Sequence, residues 1–267
     1  MKKYALVLLL LLAVNQSAVS QLPDGLSATE RGLWVAEEAN RRDEGFGDTS
    51  TEILMRLISA DGRVRERRLT WQTLEAQSQS EGDKSLTVFH EPRDIAGTAF
   101  LSYTHLNEPD DQWLYLPSLK RVKRIASANK SGSFMGSEFS YEDLLSDQVG
   151  RFEHVWLMNE PCGALECFVI ERRPLDEDSG YSKQVVWIDT EEYRSWRIDF
   201  YDRKDRYEKT LVFDQYQLYL GRFWRAGELR MTSHLTGKST ELSFADYRFQ
   251  SGLTEQDFDP DALRRLR

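Results

Sequence analysis

The sequence lacks most of what chemistry at a single site requires. Its four histidines, His90, His105, His154 and His234, show no metal-ligand spacing, and no H-E-x-x-H occurs. A G-x-S-x-G elbow, a P-loop and a dinucleotide fingerprint are also missing. The glycines of Ser131-Gly132-Ser133-Phe134-Met135-Gly136 look loop-like, but no Lys-Ser/Thr follows in P-loop register. Carboxylates are so numerous that a pair at the separation glycosidases use carries no weight. No catalytic residue, metal or cofactor is therefore expected, and the reading is against an enzyme. Positive charge is also short. The formal net charge is −9, which argues against nucleic acid as a partner. No run is apolar for the roughly 20 residues a helix needs to cross a bilayer.

What is present begins with Lys2 and Lys3, an apolar stretch from Ala5 to Val14, and a more polar segment to Ser20. A positive start, a short apolar middle and small residues before a cut make up a secretory leader. With Ala18 and Ser20 at the third and first positions before it, the cut is expected after Ser20. A membrane anchor is the alternative, but the run is too short for one. Residues 1–20 would then be a signal peptide and 21–267 the mature protein, outside the cytoplasm. Losing Lys2 and Lys3 takes the net charge from −9 to −11. Only two cysteines occur, Cys162 and Cys167. In an oxidising compartment so close a pair is expected to form a disulfide that pins a hairpin, with Gly163 allowing the tight turn. A redox motif or half a metal site are the alternatives, but four residues separate the cysteines and no histidine lies nearby.

Ser27-x-x-Glu30 is a capping box, and the spacing of Leu33, Trp34 and Ala36 predicts a helix over 27–42. The pattern then changes to period two. Strands are expected at 53–57, 64–71, 86–90, 98–104, 112–116, 152–158, 165–172, 184–188, 194–201, 207–213, 229–235 and 240–249, with turn signals such as Asp61-Gly62 between them. Gln77–Lys84 reads as a loop, Ser140–Asp147 as a helical turn or two, and Leu253–Leu266 as a short helix. Crossover helices are missing, so a doubly wound parallel sheet is excluded in favour of a large antiparallel sheet or barrel. Several strands, such as Val155-Trp156-Leu157-Met158 and Val185-Val186-Trp187-Ile188, are apolar on both faces. Either a curved sheet is closed by helices and a ligand, or a barrel or sandwich is simply full. The run Lys120-Arg121-Val122-Lys123-Arg124 is either a contact for anionic headgroups or an acidic partner, or an ordinary solvated edge strand.

Asp111-Gln-Trp-Leu-Tyr-Leu-Pro-Ser-Leu-Lys-Arg-Val-Lys-Arg-Ile125 resembles the signature strand pair of the LolA-like outer-membrane lipoprotein-sorting proteins. Gly132-Ser-Phe-Met-Gly-Ser-Glu-Phe-Ser-Tyr-Glu-Asp-Leu144 and Asp94-Ile-Ala-Gly-Thr-Ala-Phe100 resemble the same family, so the specific match covers about residues 86–146. The resemblance, to a divergent branch carrying the YLP motif, implies a mainly β fold. A single large curved antiparallel sheet, a half-open barrel over 21–267, would have a few helices closing its concave face. It also implies a periplasmic monomer that holds lipoprotein acyl chains or free lipid for transfer toward the outer membrane. The alternative it carries is an interaction or sensor module partnering an inner-membrane exporter of the resistance-nodulation type. The cavity wall is expected among Trp71, Phe89, Phe100, Trp113, Tyr115, Trp156, Phe168, Trp187 and Trp196, though each could equally be ordinary core. Trp113 and Tyr115 share one strand face and Leu114 and Leu116 the other. The partner or headgroup patch would be Lys120, Arg121, Lys123 and Arg124.

Overall fold

The computed structural model describes residues 22–76 and 81–265; the expected leader and its cut after Ser20 lie outside the described residues. The chain runs through α1 (Ala28–Asp43), β1 (Asp48–Ile58), β2 (Val64–Leu74), β3 (Glu81–Glu91), β4 (Ala99–His105), β5 (Asp111–Leu116) and β6 (Arg121–Ile125). It continues through β7 (Phe152–Cys162), β8 (Leu165–Pro174), β9 (Tyr181–Asp189), β10 (Ser195–Asp202) and β11 (Tyr207–Asp214). Last come β12 (Gln217–Tyr219), β13 (Phe223–Arg225), β14 (Glu228–Ser233) and β15 (Ser239–Phe249).

Thirteen strands form one antiparallel sheet in the order β6-β5-β4-β3-β2-β1-β15-β14-β11-β10-β9-β8-β7, and β12 pairs with β13 in a separate ribbon. The sheet is curved but not closed, because β6 and β7, its two outer strands, do not pair. The expected hairpins fall where turn chemistry and period-two patterning put them. The Cys162–Cys167 disulfide closes the β7–β8 hairpin with Cα atoms 5.7 Å apart.

Three expectations are corrected. Glu81–Lys84 begin β3 rather than ending a loop, since Gly82 lets the strand lie directly against Thr104 on β4. Residues 253–265 form two 3-10 turns, Glu255–Phe258 and Ala262–Arg265, rather than one helix; Pro260, with no N–H and a ring that clashes with the preceding turn, ends the first. The ribbon β12–β13 went unread because three-residue strands carry too little periodicity. Ser140–Asp147 contains a single 3-10 turn, Glu142–Leu144.

α1 starts at the capping box: Ser27 Oγ accepts the Glu30 N–H at 3.3 Å, and Glu30 Oε2 accepts the Ser27 N–H at 2.8 Å. The helix lies inside the curve, over β7 and β8. Gly32 makes this possible, because a Cβ there would stand 2.7–2.9 Å from backbone atoms of Val155 and Trp156. On the outer face, the C-terminal turns cover β3–β6, where Phe258 and Leu263 pack with Leu86, Leu101 and Tyr115. Gly32→Ala is expected to cost about 1–3 kcal/mol through overpacking against the strand, read as a lower urea midpoint with an unchanged slope. A midpoint equal to the wild type's would mean that the helix does not dock this closely.

Candidate functional site: a hollow between a helix and a strap

Because β6 and β7 sit at opposite edges of the sheet, the chain between them must cross the whole concave side. Residues 126–151 do so as an irregular strap. Phe134 drops between Phe89 and Phe100, with ring centroids 5.9 and 5.2 Å away, and meets Tyr141 edge-on at 5.6 Å. Phe139 and Leu144 complete this plug. Over Phe89 and Phe100 the inner face is thereby filled by the protein itself, while Trp71 and Thr73 of β2 and Asp83 of β3 still line open space.

Buried polar contacts hold the strap down. The Lys209 ammonium, on β11, pairs with Asp143 at 2.6 Å, and both side chains are almost fully buried. Asp143 also accepts the Tyr181 hydroxyl at 2.7 Å, and Lys209 donates to the Glu138 carbonyl at 3.1 Å. Lys130, buried, pairs with Asp176. Arg151 grips Asp110 with two bonds of 2.9 and 2.7 Å. Gly180 lets the strap pass, since a Cβ there would lie 2.6 Å from Ser131. Removing one member of a buried pair leaves a charge uncompensated, so these contacts fix the position of the strap more than they add net stability.

Between α1 and the strap the inner face is not filled. Three clefts of about 270, 220 and 340 Å³ adjoin one another, and a fourth of about 500 Å³, lined by carboxylates such as Asp43, Glu81 and Asp83, lies between the end of α1 and Asp147–Gly150 of the strap. The first three share Phe213, on β11; the second and third also share Trp71 and Leu229. Together they fall in the size range of small-molecule pockets. The middle cleft is the most apolar, walled by Ile198, Phe200, Leu211, Phe213, Leu229 and Leu242. Phe213 faces Leu229, and Leu229 faces Leu242, in the register of three neighbouring strands. His154 lines the cleft under α1, where burial holds its pKa below the usual value.

Strand register decides where each expected wall residue lies. Trp71 is on the hollow. Phe89 and Phe100 point inward but are sealed under Phe134. Trp156 and Phe168 also point inward but sit under α1 and its neighbours: Arg31 lies 4.3 Å over the Trp156 ring, and Phe168 packs on Tyr193. Trp113 and Tyr115 are on the outer face beneath the C-terminal turns, while Leu114 and Leu116 face inward. Trp187 is also on the outer face, its Nε1 donating to Glu160. Trp196 sits at a β-bulge, donating to Asp189 at 3.0 Å. Eight of the nine therefore stand off the clefts. Sequence reading missed Phe213, Leu229 and Phe244. All three lie in expected strands, but a period of two says that faces alternate, not which face is concave.

The cationic run does not form one face. Lys120 is in a turn, Arg121 and Lys123 project on the inner side of β6, and Arg124 on the outer side, pairing with Asp111. All four are exposed because β6 is an outer strand. Among the described residues no cluster of histidine, cysteine and carboxylate could hold a metal. His90 and His234 are exposed, and His154 is buried.

The chain is 49% identical to a crystallised domain from Vibrio parahaemolyticus assigned to outer-membrane lipoprotein sorting, with a TM-score of 0.86 over 89% of this chain and 100% of that one. The chain belongs to the LolA-like outer-membrane lipoprotein-sorting family. A DUF1329 family protein from Desulfovibrio piger is 28% identical at a TM-score of 0.84, with the same coverage, 89% and 100%. A LolA superfamily protein from Nitrosomonas europaea, 20% identical at a TM-score of 0.68 over 86% of this chain and 98% of its own, shares the fold. A family model described as "uncharacterized protein"-like matches residues 81–265. No curated protein matches the chain.

In this LolA-like half-barrel the strap carries its own titration. Burial, first, and the neighbouring Asp143, second, push Glu142 up to about 7, against a Gly180 N–H donated at 3.0 Å. A carboxyl whose folded pKa lies above its unfolded value holds a proton in the native state that the unfolded chain has lost. Stability therefore falls as pH rises from about 4.5 to 7. At roughly 1.4 kcal/mol per unit, this group alone accounts for up to about 3 kcal/mol. Glu142→Gln should flatten that slope and raise stability at about pH 8, measured by urea unfolding across the range. A variant with the wild-type slope would show that Glu142 is not the titrating group.

Proposed function

We propose that the protein is an exported, periplasmic carrier that holds lipoprotein acyl chains or free lipid between α1 and the strap, for transfer toward the outer membrane. The observation that carries this reading is the apolar hollow around Phe213 and Leu229, left open on the inner face after both covers are in place. Membership of a family that includes a lipoprotein-sorting domain supports it, as does an N-terminus of secretory pattern. The reading needs no catalytic group. Each methylene removed from water contributes about 0.8 kcal/mol, so a chain that reaches only part of the hollow still gains several kcal/mol before ordering is subtracted.

Leu229→Trp tests the reading by filling the hollow from its own floor. Losing room for about two methylenes should cost about 1.6 kcal/mol, or roughly fifteenfold in affinity. Uptake of a fluorescent fatty alcohol by the purified chain measures it, with the melting temperature as a check on folding. Full uptake by a folded Leu229→Trp variant would place the ligand elsewhere or nowhere.

The exposed cations on the outer strand β6 favour a second reading, in which this edge docks a membrane partner. Reversing Lys120, Arg121, Lys123 and Arg124 to glutamate should then abolish co-purification of that partner while leaving lipid uptake unchanged. If the reversed protein keeps its partner, the run is a solvated edge that blocks strand pairing.

A further inference from the structure

If the hollow holds an apolar chain, as proposed above, the polar end of that chain must lie where the hollow opens. The cleft of about 340 Å³ is that opening, at the C-terminal end of α1. Its wall is aromatic: Trp71, Phe213, Tyr216, Trp224, Phe244 and Tyr247. Its charged groups are Asp43, Asp83 and Arg225. Arg225 is already engaged. It pairs with Asp43, and its guanidinium lies 5.4 Å over the rings of both Phe46 and Phe249. Asp83 has no such partner. Its Oδ1 accepts the Ala76 N–H at 3.0 Å, and no lysine or arginine among the described residues pairs with it.

A half-buried carboxylate without a counter-charge, set among aromatic faces, is a site for a cation. An anionic head would meet Asp83 and Asp43 with the nearby guanidinium already committed.

We propose that this cleft receives the cationic head of an amphiphile, a protonated amine or quaternary ammonium, with its charge against Asp83 and the aromatic wall. Its tail runs past Phe213 into the middle cleft. The cargo is therefore an amine-bearing lipid or acylated amine, selected against fatty acids and other purely anionic lipids.

Hexadecylamine, hexadecanol and palmitate share a tail and differ in head charge. Each is titrated against the full chain loaded with a neutral pyrene-bearing fatty alcohol, below its micelle-forming concentration. Hexadecylamine is expected to displace the probe roughly tenfold better than hexadecanol, and palmitate worse than either. Asp83→Asn should bring the amine down to the level of the alcohol, with an unchanged melting temperature showing that the variant is folded. Tyr247→Leu should narrow the preference in the same direction. Equal displacement by all three, a preference for palmitate, or an amine preference that survives Asp83→Asn would overturn the head-group assignment and leave the carrier reading standing. Failure of the probe and of all three compounds to bind would remove both.

Discussion

The architecture turns on one topological constraint. Two strands adjacent in sequence, β6 and β7, occupy opposite edges of a 13-stranded sheet. The connection between them has to cross the open side of the curve, so a half-barrel of this connectivity comes with its own cover. Everything about the inner face follows from how that crossing segment lies. Its aromatic side chains take one half of the concavity, α1 takes the β7 edge, and the hollow is what neither reaches.

The strap is fastened by charges rather than by grease alone. Lys209–Asp143, Lys130–Asp176 and Arg151–Asp110 are largely withdrawn from water, where pairing roughly offsets desolvation and adds little net stability. Such pairs tolerate one arrangement and penalise others strongly, which suits a segment that must sit in a defined place over an otherwise slippery apolar floor. The same low dielectric raises the pKa of Glu142, so the element that bounds the hollow also carries a group that responds to proton concentration. The long motif 132–144, which marks the family in the sequence, is this strap. Its Phe134, Phe139 and Leu144 are the plug, and its Asp143 is the staple.

Legibility differed between levels. The capping box of α1, the hairpin turns and the short disulfide loop are local, and local rules read them closely. The C-terminal helix was overread because its charge pattern favoured a helix that Pro260 interrupts. Strands apolar on both faces admitted two accounts, a curve closed by a ligand and a barrel full of its own side chains, and the structure is filled in one part of the concavity and open in another. Phe134 fills the inner face over Phe89 and Phe100, while space remains beside Phe213 and Leu229. On the outer face, the second apolar side of β3–β5 is covered by Phe258 and Leu263, which lie far along the chain. Large aromatics were natural choices for a cavity wall, yet size and apolarity say only that a side chain is covered, not by what.

The sequence by itself determined most of the elements, the local hairpins between them, the disulfide and the family, because each rests on neighbouring residues or on a motif read as a string. Only the tertiary structure decided which face of each strand is concave, how much of the concavity the strap occupies, and which aromatics meet around the space left over. Those depend on the sign of the sheet's curvature and on contacts between residues far apart in the chain. A two-residue period is the same viewed from either side of the sheet, so no local pattern could carry that information.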